Sequence, residues 1–185
     1  GKEGRKEGRK EGRKEGRKEG FRVLDFGGAF GSTYWQHKSM LESVGSLSWN
    51  VVEQPHIVTC GQAEFTTDIL HFWPDMKTCA VGEPVDCILF SSVLQYVENP
   101  YDLLEQAIAL RPRAIILDRT PFADTGERIT VQHVPSEIYK ASYPCRWLDR
   151  ERVLGLLTTD FMVSPWWQSQ VDPPGFSGIV AYARN

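Results

Sequence analysis

The sequence predicts an α/β fold, a doubly wound and mostly parallel seven-stranded sheet that ends in an antiparallel hairpin. Three observations predict it. Between residues 21 and 117, five short apolar runs alternate with helix-compatible stretches, the pattern of βαβ units and a parallel sheet. One run, residues 85–90 (VDCILF), is almost continuously apolar, as a strand covered on both faces must be. The last third drops the alternation and carries two strand-like runs joined by the turn-rich VDPPGFSG.

Residues 21–26 (FRVLDF) form the first strand, and residues 32–44 follow as a helix with Tyr34, Met40, Leu41 and Val44 at helical spacing. Residues 47–53 (LSWNVVE) make a second strand ending in an acid, 55–65 a helix, and 69–73 (ILHFW) a third strand. After the fourth strand, Asn99-Pro100 supplies an N-cap followed by proline at the first helical position. That helix runs to about residue 110 with Leu103, Leu104, Ala107 and Ile108 on one face, and residues 114–117 (AIIL) form the fifth strand. Residues 120–147 have no clear period, which marks a long functional loop or a disordered one. Asp149 caps a helix over 150–157, and residues 161–167 and 179–183 complete the sheet as the closing hairpin.

Residues 1–20 repeat the tetrapeptide Gly-Arg-Lys-Glu and hold no apolar residue. A glycine at every fourth position costs a helix roughly 1 kcal/mol each, so the segment reads as low-complexity sequence, disordered or artificial. A single domain is expected over 21–185. Removing the nine Lys and Arg and five Glu of the repeat from totals of 21 and 24 leaves 12 basic and 19 acidic residues, a formal charge of −7. Such an acidic body argues against nucleic acid as a partner. No apolar run approaches the roughly 18 residues of a membrane span, and no signal peptide is evident, so no membrane insertion and a cytoplasmic location are expected. Cys60, Cys79, Cys87 and Cys145 show no metal-binding spacing. They read as ordinary thiols, three of them buried, with no metal.

The chemistry concentrates after the first strand, in VLDFGGAFGS (23–32). A dinucleotide loop would need G-x-G-x-x-G, and neither glycine register supplies it; a P-loop would need Gly-Lys-Ser/Thr. What stands there is Asp25-x-Gly27-x-Ala29-x-Gly31, with Gly28 inside it. It resembles the D-x-G-x-G-x-G turn of class I S-adenosylmethionine-dependent methyltransferases, with alanine at the middle position. Small residues let the backbone approach an uncharged or sulfonium ligand, while the acid supports its amino-acid end. Glu53, with Gln54 beside it, ends the second strand where a carboxylate can accept from both ribose hydroxyls. Asp75 follows the third strand where it can accept from an adenine amino group, and Ser91 and Ser92 follow the fourth strand.

Beyond the turn, the segments LDFGGAFGSTYWQ, WNVVEQPHIVTCG, ILFSSVLQYVENPYDLLE, IILDRTPF and ITVQHVPSEIYKASYPCRW are similar to a family of methyltransferases encoded with bacterial surface-polysaccharide and O-antigen genes. That resemblance implies S-adenosylmethionine as cofactor, S-adenosylhomocysteine as product, and a small-molecule or sugar-linked acceptor. Acceptor-side candidates near the strand ends are Gln95, Tyr96, Asp118 and Arg119, joined by Arg128, Gln132, His133, Tyr139 and Tyr143 from a lid over 120–147. Arg119 and Arg128 offer planar forks for a carboxylate or phosphate, or form salt bridges in an acidic body. His133, the histidine of the lid, is the candidate base, with Arg119 the other catalytic candidate. Two other classes stay open. One is a non-catalytic methyltransferase-like module that binds a nucleoside or a partner protein; the other is a nicotinamide-dependent oxidoreductase, whose glycine spacing fits less well.

Overall fold

The computed structural model describes residues 20–138 and 140–184. The repeat over 1–19 and the acceptor-side candidate Tyr139 lie outside the described residues. Ten strands occur among the described residues: β1 (Gly20–Phe26), β2 (Ser46–Val52), β3 (Leu70–Trp73), β4 (Cys87–Ser91), β5 (Ala114–Ala123), β6 (Arg128–His133), β7 (Ser142–Asp149), β8 (Phe161–Val163), β9 (Trp167–Gln168) and β10 (Phe176–Ala183). Five helices join them: α1 (Ser32–Leu41), α2 (Pro55–Glu64), α3 (Met76–Cys79), α4 (Pro100–Ala109) and α5 (Arg150–Leu157), with one 3-10 turn over Leu94–Tyr96.

The main sheet has the order β3-β2-β1-β4-β5-β10-β8. Its first five strands are parallel, and β10 runs antiparallel to both β5 and β8. The expected seven-stranded doubly wound sheet with a closing hairpin is therefore the observed one. Alternation along each strand feeds two cores. Leu24, Ile88, Phe90, Ile115 and Leu117 pack with α4 and α5 on one face. Val23, Val51, Leu70, Phe72, Cys87 and Leu89 form the second core, with Tyr34 of α1 and Val58 of α2. Cys79, Cys87 and Cys145 are buried and Cys60 is exposed, and burial pushes the Cys87 thiol up to about 12.

Several elements depart from the expectation for identifiable reasons. α1 stops at Leu41, and only Tyr34 of its ten residues is buried, leaving Met40 64% exposed. Asn99 stands at the N-cap of α4 without a side-chain cap bond, whereas Asp149 caps α5 by accepting from Arg152 N–H at 3.1 Å. The expected strand over 161–167 divides into β8 and β9 around Pro165, which has no N–H to donate to a ladder. The stretch 120–147 is no simple loop: β5 continues to Ala123, and β6 and β7 form an antiparallel hairpin. Leu148 and Phe122 join β7 in parallel to the end of β5. Residues on both faces of β6 are largely exposed, so burial imprints no alternating pattern there.

Candidate functional site

The order of strands reverses between β1 and β4, and in such sheets the crevice at the carboxyl ends of the switching strands is where ligands bind. Backbone strain collects there. Ala29 after β1, Ser92 after β4 and Arg119 in β5 all hold left-handed backbone, at φ 51°, 54° and 51°. Non-glycine residues in that region are uncommon and cluster at functional sites.

The glycine turn is shaped by what it touches. A Cβ on Gly27 would lie 2.4 Å from Val93 Cγ2, and one on Gly28 would lie 2.4 Å from Asp25 Oδ2. Asp25 is 1% exposed and its Oδ2 accepts from the Trp49 indole N–H at 3.0 Å. Burial pushes its carboxyl up to about 6, the Trp49 donor opposes this, and the nearby Glu53 charge adds to it. Glu53 ties β2 to the turn: Oε1 accepts from Ala29 N–H at 3.1 Å and Oε2 from Gln54 N–H at 2.9 Å.

Two cavities meet at Gly27. The larger, about 490 Å³, is lined by Glu53, Gln54, Pro74, Ser92, Val93 and Tyr96 among others. Its volume lies within the range of small-molecule sites. The smaller, about 200 Å³, is lined by Asp25, Gly28, Ala29, Ser91, Asp118 and Arg119, with the first turns of α1. Gly31 is the N-cap of α1 at φ 83° and lines neither cavity.

Around these cavities the strand ends are cross-linked. Ser91 Oγ donates to Asp118 Oδ2 at 3.2 Å, and the Trp167 indole N–H donates to Oδ1 at 3.3 Å. Gln95, only 2% exposed, donates to Ser92 Oγ at 3.2 Å and to the Arg119 carbonyl at 3.3 Å. It braces two strand ends and lines neither cavity, so its place differs from the acceptor contact expected of it. Tyr96, Gln132 and Tyr143 do come together. The Tyr96 hydroxyl donates to Gln132 Oε1 at 2.7 Å, and the Tyr96 and Tyr143 rings meet edge to face at 5.4 Å.

Other candidates are not brought in. Both Asp75 oxygens cap α3, accepting from Thr78 N–H at 2.7 Å and its hydroxyl at 2.8 Å, which holds the carboxyl below the usual carboxylate range. The two arginine forks do not converge: Arg128 lies over the Trp147 ring at 4.1 Å, outside both cavities. Arg119, by contrast, does line the smaller cavity and is also paired with Asp172 at 2.8 Å, the salt bridge of the alternative reading. His133 sits at the exposed end of β6 and also lines neither cavity. Sequence reasoning missed Thr33, Gln36 and His37 of α1, which line the smaller cavity. Their i, i+3, i+4 spacing on one helix face was the available signal. Trp167 and Asp172, far along the chain, carried none.

No protein-family model and no curated protein matches this chain. Solved structures do match. CalS10, an amino pentose methyltransferase from Micromonospora echinaspora involved in calicheamicin biosynthesis and bound to S-adenosylmethionine, superposes with a TM-score of 0.57 at 12% identity, covering 91% of this chain and 85% of that one. The glycopeptide N-methyltransferase MtfA, complexed with S-adenosylmethionine, gives 0.59 at 12% identity over 89% and 87%. The fold is that of class I methyltransferases. A pericyclic reaction enzyme shares it too, with a TM-score of 0.60 at 11% identity over 90% of this chain and 44% of that one, so the fold does not by itself fix the reaction. No helix among the described residues is long and apolar enough to cross a membrane.

Proposed function

We infer that the chain is an S-adenosylmethionine-dependent methyltransferase acting on a small-molecule or sugar-linked acceptor. The observation that carries this is the pair of cavities joined at Gly27. The larger suits a nucleoside. Glu53 presents a carboxylate already oriented by two backbone N–H groups, as recognition of a ribose diol requires. Phe26, Val52 and Val93 supply apolar wall for a base. The smaller cavity suits an amino-acid end, with Asp25 and Asp118 as partners for an ammonium group. Glycine at 27 and 28 lets the turn pack directly against Val93 and Asp25, which wall the two cavities, where any Cβ would collide with them. The likeness to S-adenosylmethionine-bound methyltransferases of an amino pentose and a glycopeptide supports both cofactor and acceptor class.

When bound, S-adenosylmethionine supplies an electrophilic methyl group on a sulfonium. The protein's part is alignment and exclusion of water, which together account for several kcal/mol of a displacement barrier. The Gly27 backbone fixes depth, Glu53 fixes the nucleoside end, and Ser91 and Asp118 fix the other. The β6–β7 hairpin, bonded to Tyr96 through Gln132, stands over the acceptor side as its lid. Release of S-adenosylhomocysteine on incubation with amino-sugar, sugar-nucleotide and small amine acceptors tests the reading. Cofactor binding without release on any acceptor would favour the non-catalytic nucleoside-binding module.

A further inference from the structure

β5 does not run straight past the smaller cavity. Leu117 pairs with Ile179 and Thr120 with Ser177, so Asp118 and Arg119 together face the single residue Gly178. One extra residue on one strand is a β-bulge, which bends a strand and re-aims its side chains. Glycine is the ordinary occupant of a left-handed bulge position. Here it is Arg119, at φ 51°. A residue held in strained backbone persists only where its surroundings over-determine it.

Those surroundings are identifiable. Gln95 donates to the Arg119 carbonyl at 3.3 Å, and Ser92 N–H donates to the Asp118 carbonyl at 3.0 Å. Arg119 Nε and Nη2 donate to the two oxygens of Asp172 at 2.8 and 3.0 Å. Ser169 Oγ in turn donates to Asp172 Oδ2 at 2.6 Å. The clasp occupies one edge of the guanidinium. Nη1 has no hydrogen-bond partner among the described residues, and the side chain, 43% exposed, lines the smaller cavity. Among the described residues, that cavity thus combines one arginine with two carboxylates, Asp25 and Asp118. A fixed guanidinium and two acids lining one cavity are the complement of a zwitterion, since the planar fork matches a carboxylate and the acids match an ammonium.

We propose that Arg119, oriented by Asp172, binds the α-carboxylate of the methionine moiety of S-adenosylmethionine. It then belongs to cofactor recognition and does not act on the acceptor. This rests on the cofactor reading above. Calorimetry with S-adenosylmethionine and its decarboxylated propylamine analogue, which lacks only the carboxylate, tests it. The wild-type chain is expected to prefer S-adenosylmethionine by about tenfold or more, as loss of a charge-assisted hydrogen bond implies. Arg119→Gln should erase that preference, and Asp172→Asn should reduce it. Equal binding of both ligands to the wild-type chain overturns the assignment without needing any variant to fold. A preference that survives in Arg119→Gln overturns it as well. If neither ligand binds, the cofactor reading itself fails.

Discussion

At the scale of single residues, the site is built against stability. Asp25 is buried with its carboxyl pushed up to about 6 from 3.8. A folded-state value above the unfolded one favours the fold below about pH 4, and that advantage is lost as pH rises through 6. The difference of about two units corresponds to roughly 3 kcal/mol. Asp25→Asn is therefore expected to melt at a higher temperature than wild type at pH 7.5, with the gap closing near pH 4, while its cofactor affinity falls. Melting curves across pH 4 to 8 check this; a variant destabilised equally at every pH would show that Asp25 serves the fold. Glu53 makes the opposite kind of contribution, since its two oxygens satisfy Ala29 and Gln54 N–H groups and face the larger cavity. Glu53→Ala should weaken S-adenosylmethionine by about 1.5 to 3 kcal/mol, the range for a hydrogen bond to a charged group. Unchanged affinity by calorimetry would remove Glu53 from the site.

At the scale of elements, the β6–β7 hairpin is the part most open to change. Among the described residues its strand pairing with the main sheet is confined to the end of β5, and it meets the cavity wall through Tyr96, Gln132 and Tyr143. Gln132→Ala removes an acceptor for the Tyr96 hydroxyl, a loss of about 1 kcal/mol. Amide exchange in β6 and β7 should quicken and the acceptor KM rise, with cofactor affinity nearly unaltered; a loss of cofactor affinity instead would show that the hairpin builds the nucleoside pocket. The main strands were legible because burial on both faces leaves runs such as VDCILF in the sequence. The hairpin was not, because exposed strands of RITVQH type bear no such imprint. The bulge at Arg119 was equally silent. Glycine would have announced it; arginine there depends on Asp172, fifty-three residues away in the chain.

At the scale of the molecule, the reversal of strand order between β1 and β4 marks the place of the candidate site, and the turn after β1 joins its two cavities at Gly27. Asp25, Gly27, Glu53 and Ser92 were legible as cavity-lining residues because Asp25 stands near the end of β1 and the other three directly follow β1, β2 and β4, so placing the strands placed them. Asp75 and His133 line neither cavity, because the capping of α3 and the exposure of β6 are decided by tertiary structure. The central claim is that the joined cavities hold S-adenosylmethionine. Its most direct test is thermal melting of the chain with S-adenosylmethionine, S-adenosylhomocysteine and NAD in parallel. A ligand at about 100 times its dissociation constant adds roughly 2.7 kcal/mol, a rise of several degrees for a domain of this size. That rise is expected with the first two ligands and not with NAD; a rise with NAD alone, or with none of the three, would contradict S-adenosylmethionine as the occupant.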